Sequence, residues 1–214
     1  MGLREAFELI NLMGRKAKID KQMILEAAYE LLDEGGIEAV AIKSIAAKLN
    51  CSTQPVSWHF GSMTELKKEL YFFAGNKLYE ELPRKMEGKP AFEAFFISGV
   101  HYLSGACDHP NVFRFINVDS PEKTIGESIT GNSSIFMNQF DKEALQMISA
   151  EYNIDGEVLG QAVRDVVIYT HGLAVMMIFD NFRMPKEAAC RMMYDVGVKI
   201  MGSIGIKPPE EPFI

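Results

Sequence analysis

Residues 38–70 read EAVAIKSIAAKLNCSTQPVSWHFGSMTELKKEL, and this stretch decides the fold. Ile42, Ile45, Ala46 and Leu49 recur at a spacing of three to four, which predicts a short amphipathic helix. Asn50-Cys51 reads as a tight turn, and Ser52 as the N-cap of a second short helix from Thr53 to about His59. Pro55 falls in that helix's first turn, where a missing N–H costs nothing. Ser62-Met63-Thr64-Glu65 has the form of a capping box and opens a longer helix through Leu66, Leu70, Phe73 and Leu78, ending near Pro83. Two short helices joined by a tight turn form a helix-turn-helix.

The pattern assigns faces as well as elements. Val56 and Phe60 serve as the inward side of the second short helix, which leaves Thr53, Gln54, Ser57, Trp58 and His59 outward. Gln can bond adenine edges, Ser and Thr serve phosphates or bases, and aromatic rings lie against the backbone or thymine methyls. Two ordinary surface helices remain the alternative reading of the same pattern. Upstream, Asp20 caps a helix with Ile24, Ala28, Leu31 and Leu32 on one side, stopped by Gly35-Gly36. Ahead of it runs a basic cluster, Arg15, Lys16, Lys18 and Lys21, readable either as an arm along a groove or as a solvated flank. Leu3, Phe7 and Ile10 at helical spacing predict an additional helix over residues 3–13.

The stretch resembles the DNA-binding domain of TetR-type transcriptional regulators through Ile45-Ala46, the turn, Ser52, Phe60 and the capped helix from Ser62 to Leu66. The close likeness covers residues 20–70, and the layout of a three-helix head and a larger helical body extends it to the whole chain. The resemblance implies a homodimer that binds a near-palindromic DNA operator, acts as a repressor and responds to a small-molecule effector. It implies DNA contacts from Lys43, Ser44, Ser52, Thr53, Gln54, Ser57, Trp58, His59 and Thr64. Three positions depart from the family pattern: Ala41 stands for a usual Thr, Ser57 for a Tyr and Met63 for a phosphate-binding Lys.

The rest of the chain is also helical in pattern, so the expected class is all-α. Its expected parts are an N-terminal extension (1–19), the helix-turn-helix domain (20–66), a ligand-binding and dimerisation body (67–206) and a tail (207–214). Body helices are predicted over 91–108, 111–118, 134–149, 157–181 and 185–201, with a loop over 119–132. The segment 157–181 is apolar around most of its circumference after Val166, and such a helix needs cover on every side. The resemblance implies dimerisation through the last two long helices, with Val163, Val167, Ala174, Ala189, Met193, Val196 and Ile200 as interface candidates; an ordinary core is the alternative. His101, Tyr102, Phe113, Phe115, Met137, Tyr169, His171 and Met176 are candidates for a mixed pocket, or for plain core.

Composition narrows the classes. Of 214 residues, 48% are hydrophobic and 24% charged, enough apolar content to exclude wholesale disorder. No apolar run reaches the ~18 residues of a membrane span, and the N-terminus lacks a signal-peptide pattern, so a cytoplasmic protein is expected. Three scattered cysteines argue against a disulfide framework, and Cys107 is expected to be buried and inert. The net charge is −7, but residues 1–89 carry 13 basic and 13 acidic side chains against 9 and 16 beyond, so the acidity belongs to the body. Nucleophile-elbow, phosphate-loop, dinucleotide and zinc-protease motifs are missing, and no cofactor is expected. His101, Asp108 and His109 lack a favoured metal-ligand spacing. Two rivals remain: a helical small-molecule-binding protein without DNA binding, and an enzyme on a helical scaffold.

Overall fold

A computed structural model describes residues 19–119, 139–179 and 184–207. The expected helix over 3–13, the basic residues 15–18, most of the 119–132 loop, Met137 and the tail beyond Lys207 lie outside the described residues. The described residues form helices α1 (Lys21–Gly35), α2 (Ile42–Lys48), α3 (Gln54–Phe60), α4 (Met63–Tyr79), α5 (Leu82–Met86), α6 (Ala91–Asp108), α7 (Pro110–Asn117), α8 (Gln139–Tyr152), α9 (Gly156–Ile178) and α10 (Lys186–Ser203). There is no strand among them, and none of these helices is long and apolar enough to cross a membrane.

Local chemistry sets the ends of α1 and α4. Asp20 Oδ1 accepts from the Met23 amide at 2.8 Å, and Ser62 Oγ from the Glu65 amide at 3.1 Å. Gly36, at φ 72°, ends α1 in a conformation that a side chain would strain. Ser52 does not cap α3: the helix starts later, the N-cap position is Thr53 at φ −69°, and no side chain bonds the first turn. Pro55 accounts for this, because it removes one of the two amides that a cap would serve. Ala41, at the N-cap of α2, has no side chain able to bond that helix's first amides.

Two apolar clusters organise the chain. The head cluster joins Ile24, Ala28 and Leu32 of α1 to Ile45 of α2, Val56 and Phe60 of α3, and Leu66, Leu70, Tyr71 and Ala74 of α4. It extends past residue 66 along α4 and takes in Val112 and Phe115 of α7. The body cluster gathers Phe92, Phe96 and Leu103 of α6, Leu159, Ala162, Val166 and Leu173 of α9, and Ala189, Met193 and Met201 of α10. Leu78, near the end of α4, already belongs to it. Helix α4 therefore runs from one cluster into the other, and α7 gives Phe113 to the body while giving its neighbours to the head.

Close approach of α10 to α6 depends on Gly197. A Cβ there would lie 2.5 Å from Phe96 Cε1. Cys107 is exposed rather than buried, since the inward side of α6 at that end is taken by Leu103, Gly105 and Ala106. Partial desolvation of its sulfur and the neighbouring Asp108 carboxylate raise its thiol pKa, which works against thiolate formation.

Candidate nucleic-acid interface and body site

The second helix of the head motif presents a polar and aromatic face. Val56 and Phe60 are buried behind it, while Thr53, Gln54, Ser57 and Trp58 are exposed, Trp58 to 76%. Ser52, Lys43 and Thr64 are exposed nearby in sequence, and Ser44 is half-buried. His59 differs from the other outward candidates. It is half-buried, its Nε2 bonds the Ile19 carbonyl at 3.2 Å, and its ring meets Trp58 edge-on at 4.7 Å. Its described contacts tie the chain just before α1 to the end of α3. Met63, at the start of α4, is half-buried against the head cluster and offers no charge.

The cations of the head are largely engaged within it. Lys21 pairs with Glu69 at 2.6 Å and its ammonium lies 5.4 Å from the centre of the Phe60 ring. Lys48 bridges Glu30 and Glu34, both at 3.0 Å, and Lys77 pairs with Glu26.

Head and body are joined at α7. His109 Nδ1 bonds Asp33 Oδ2 at 2.9 Å, Asn111 Nδ2 donates to the Asp33 carbonyl at 2.8 Å, and Tyr71 donates to the Ile116 carbonyl at 3.1 Å. Sequence reading missed this clasp, because its partners stand 76 and 78 residues apart.

The pocket candidates divide. Tyr102 and His171 bond through Oη and Nδ1 at 2.8 Å, and Tyr102 packs edge-on against buried Phe113 with ring centres 4.8 Å apart. Burial lowers the His171 pKa and raises that of Tyr102. His101 donates from Nε2 to the Leu78 carbonyl at 2.9 Å, and its other nitrogen faces the Lys85 ammonium at 3.4 Å. Its ring lies 5.9 Å from Tyr79, which sequence reading did not single out. The Tyr79 hydroxyl donates to Asn117 at 3.3 Å, and burial pushes its pKa up to about 12. Tyr169 is half-buried against the body cluster. Phe115 does not join this group, because it is committed to the head cluster against Tyr71. Met176 also stays out of it, exposed on α9.

Asp108 and His109 are engaged elsewhere, with Lys186 at 2.8 Å and with Asp33. Among the described residues no three His, Cys, Asp or Glu side chains gather as metal ligands.

The interface candidates divide by burial. Ala174, Ala189 and Met193 are buried in the chain's own body core, where the Met193 side chain approaches within 3.2 Å of the position a Gly99 Cβ would take. Val163 and Ile200 are half-buried against the same core, and Val167 and Val196 are also half-buried. The exposed large apolar side chains of these two helices are Ile168, Met176, Phe179 and Val158 of the α9 segment and Met192 of α10, with Ile168 55% exposed. The first three recur at helical spacing, a signal hidden by the apolar residues around them.

A helix-turn-helix head whose recognition helix is exposed, carried on a separate helical core, defines a DNA-binding regulator class. Residues 24–70 match the family of bacterial regulatory proteins described as tetR. The head, over residues 24–70, is thus a TetR-type helix-turn-helix domain. Solved structures agree in fold. A TetR-like transcriptional regulator from Rhodococcus sp. RHA1 shares 16% identity, with 87% of this chain and 96% of that chain covered and a TM-score of 0.61. A TetR variant from Acinetobacter baumannii, in complex with minocycline, shares 14% identity over 86% and 96%, with a TM-score of 0.54. An HTH-type transcriptional regulator of Mycobacterium tuberculosis is 21% identical over 180 residues, 82% of this chain and 78% of its own length.

Proposed function

We propose that the protein is a ligand-responsive repressor that binds a near-palindromic operator in the cytoplasm as a homodimer. The observation that carries this reading is the exposed set Thr53, Gln54, Ser57 and Trp58 on α3, held from behind by Val56 and Phe60. Two such helices, one per subunit, read half-sites one helical turn apart, roughly 34–36 Å. Lys43, Ser44, Ser52 and Thr64 contact the backbone around them, while His59 acts from behind by holding Ile19. Ile168, Met176, Phe179 and Met192 give α9 and α10 an apolar face suited to a second copy. Tyr102, Phe113 and His171 supply an aromatic and polar lining suited to a small effector. Effector and DNA then oppose one another by a shared coupling free energy, so each weakens the other by the same factor.

Met63, standing where the family has a phosphate-binding Lys, and the net charge of −7 favour a second reading, a ligand-binding protein without DNA affinity. Selection from random duplex DNA by the purified protein at moderate salt separates the two. An enriched palindrome supports the regulator. Folded protein that enriches no sequence supports the second reading.

A further inference from the structure

Trp58, on the outward face of α3, is 76% exposed, the most exposed large apolar side chain among the described residues. Tryptophan is strongly buried on average, and Val56 and Phe60 already anchor this helix to the head core. The Trp58 ring is nevertheless held. His59 meets it edge-on, with ring centres 4.7 Å apart, and His59 is itself tied through Nε2 to the Ile19 carbonyl at 3.2 Å. Gln54 is exposed one turn earlier on the same face. The two lie about 6 Å apart along the helix axis, close to two base-pair steps of about 3.4 Å each. What α3 lacks is equally specific. Its sequence, QPVSWHF, contains no Arg or Lys to bond guanine O6 and N7, and no Asp or Glu to accept from cytosine N4. Gln54 can bond adenine at N6 and N7, and the Trp58 ring can cover the apolar group of the major-groove edge, the thymine methyl.

We propose that α3 reads A·T base pairs alone, with Trp58 against a thymine methyl as the specificity-determining contact, Gln54 on a neighbouring adenine, and His59 as the residue that positions Trp58. This rests on the DNA-binding reading above, and it names the operator chemistry that α3 selects.

The test uses the full chain and the duplex that it enriches from random DNA. Each thymine of a half-site is replaced in turn by deoxyuridine, which removes the methyl alone, and each adenine by 7-deazaadenine, which removes N7. Anisotropy titrations at fixed salt should find a thymine whose replacement weakens binding about fourfold, or about fifteenfold when both half-sites carry it. The adenine facing Gln54 should cost about fivefold or more per half-site. Trp58→Ala binds the thymine and uracil duplexes equally. His59→Ala loses most of the uracil penalty and keeps the adenine penalty, a pattern that general damage to the head does not produce. Trp58 is the chain's single tryptophan, so its emission reports the same contact without any substitution. Binding the duplex should quench that emission and shield it from acrylamide. A half-site with no thymine whose replacement weakens binding, or a bound complex whose tryptophan stays open to acrylamide, overturns the inference and leaves the DNA-binding reading standing. Wild-type protein that binds no duplex overturns that reading itself.

Discussion

Replacing Gly197 by Ala separates tertiary packing from helix propensity. In an unconstrained helix the change stabilises by roughly 1 kcal/mol, because glycine is the poorer helix former. At Gly197 the new Cβ would stand 2.5 Å from Phe96 Cε1 and 2.7 Å from Cζ. Carbon atoms settle at about 3.5–4.0 Å, so a gap of about 1 Å must open. Phe96 cannot yield cheaply. It is fully buried, with Phe92 at 4.9 Å, Phe95 at 5.4 Å and Tyr194 at 5.1 Å, ring centre to ring centre. Overpacking of this kind costs about 1–3 kcal/mol, and the upper end applies to a ring held on three sides. Subtracting the propensity gain leaves a net loss of about 2 kcal/mol. In a chain of this size that lowers the melting temperature by roughly 4–8 °C. Gly160→Ala is the control, since a Cβ there meets nothing within 4 Å and only the propensity gain remains. Urea and thermal denaturation of both variants at fixed protein concentration measure the contrast. Adding Phe96→Leu to Gly197→Ala should cost less than the two changes summed, because the smaller side chain makes room. A Gly197→Ala protein as stable as the Gly160→Ala protein would refute the close approach of α10 to α6.

Ala41→Thr places a hydroxyl at the extended N-cap of α2, where no side chain now bonds, and should raise stability by about 1 kcal/mol in urea denaturation. Met63→Lys at the start of α4 should add one phosphate contact per subunit, steepening the salt dependence of duplex binding by about 2 per dimer in anisotropy titrations. His171 is held below its usual pKa by burial, so the unfolded chain binds the proton more readily. Its contribution to stability is therefore present above the unfolded value of about 6.5 and is lost as pH falls below it. His171→Gln should flatten the pH dependence of the melting temperature across that window.

How much of this was legible in the sequence follows from how local each cause is. Asp20 and Ser62 announce their helices because a cap bonds amides only three residues away. The head's inward residues, Ile24, Ile45, Val56 and Phe60, were legible because polar positions separate them and fix the phase of each helix. Helix α9 has no such phase after Val166. With apolar residues nearly all round, its own sequence does not say that Ala174 faces the core and Met176 the outside. That choice is made by α6 and α10 packing against it. Ser52 was misread for a different reason: its cap chemistry is sound, but Pro55 removed one of its two targets. The Asp33 clasp leaves no local trace, since His109 and Asn111 look like any polar residues at a helix start.

The same clasp bears on how the proposed body site would act on the head. Along α7, Val112 and Phe115 are buried in the head cluster, Phe113 is buried in the body cluster, and Ile116 touches both. A close-packed helix of this kind cannot shift towards one core without opening space in the other. Phe113 is also the ring against which Tyr102 rests, and Tyr102 is the partner of His171. The Tyr102–Phe113 ring contact is therefore a direct link from this pair to α7. At the far side of α7, two hydrogen bonds reach Asp33 close to the Gly36 stop, where α1 ends and the chain turns towards the helix-turn-helix. The His59–Ile19 bond ties the segment entering α1 to the end of α3, so rotation of α1 has a direct route to the recognition helix. The body pair and the reading surface are thus joined through side-chain contacts in series, whichever end is perturbed first.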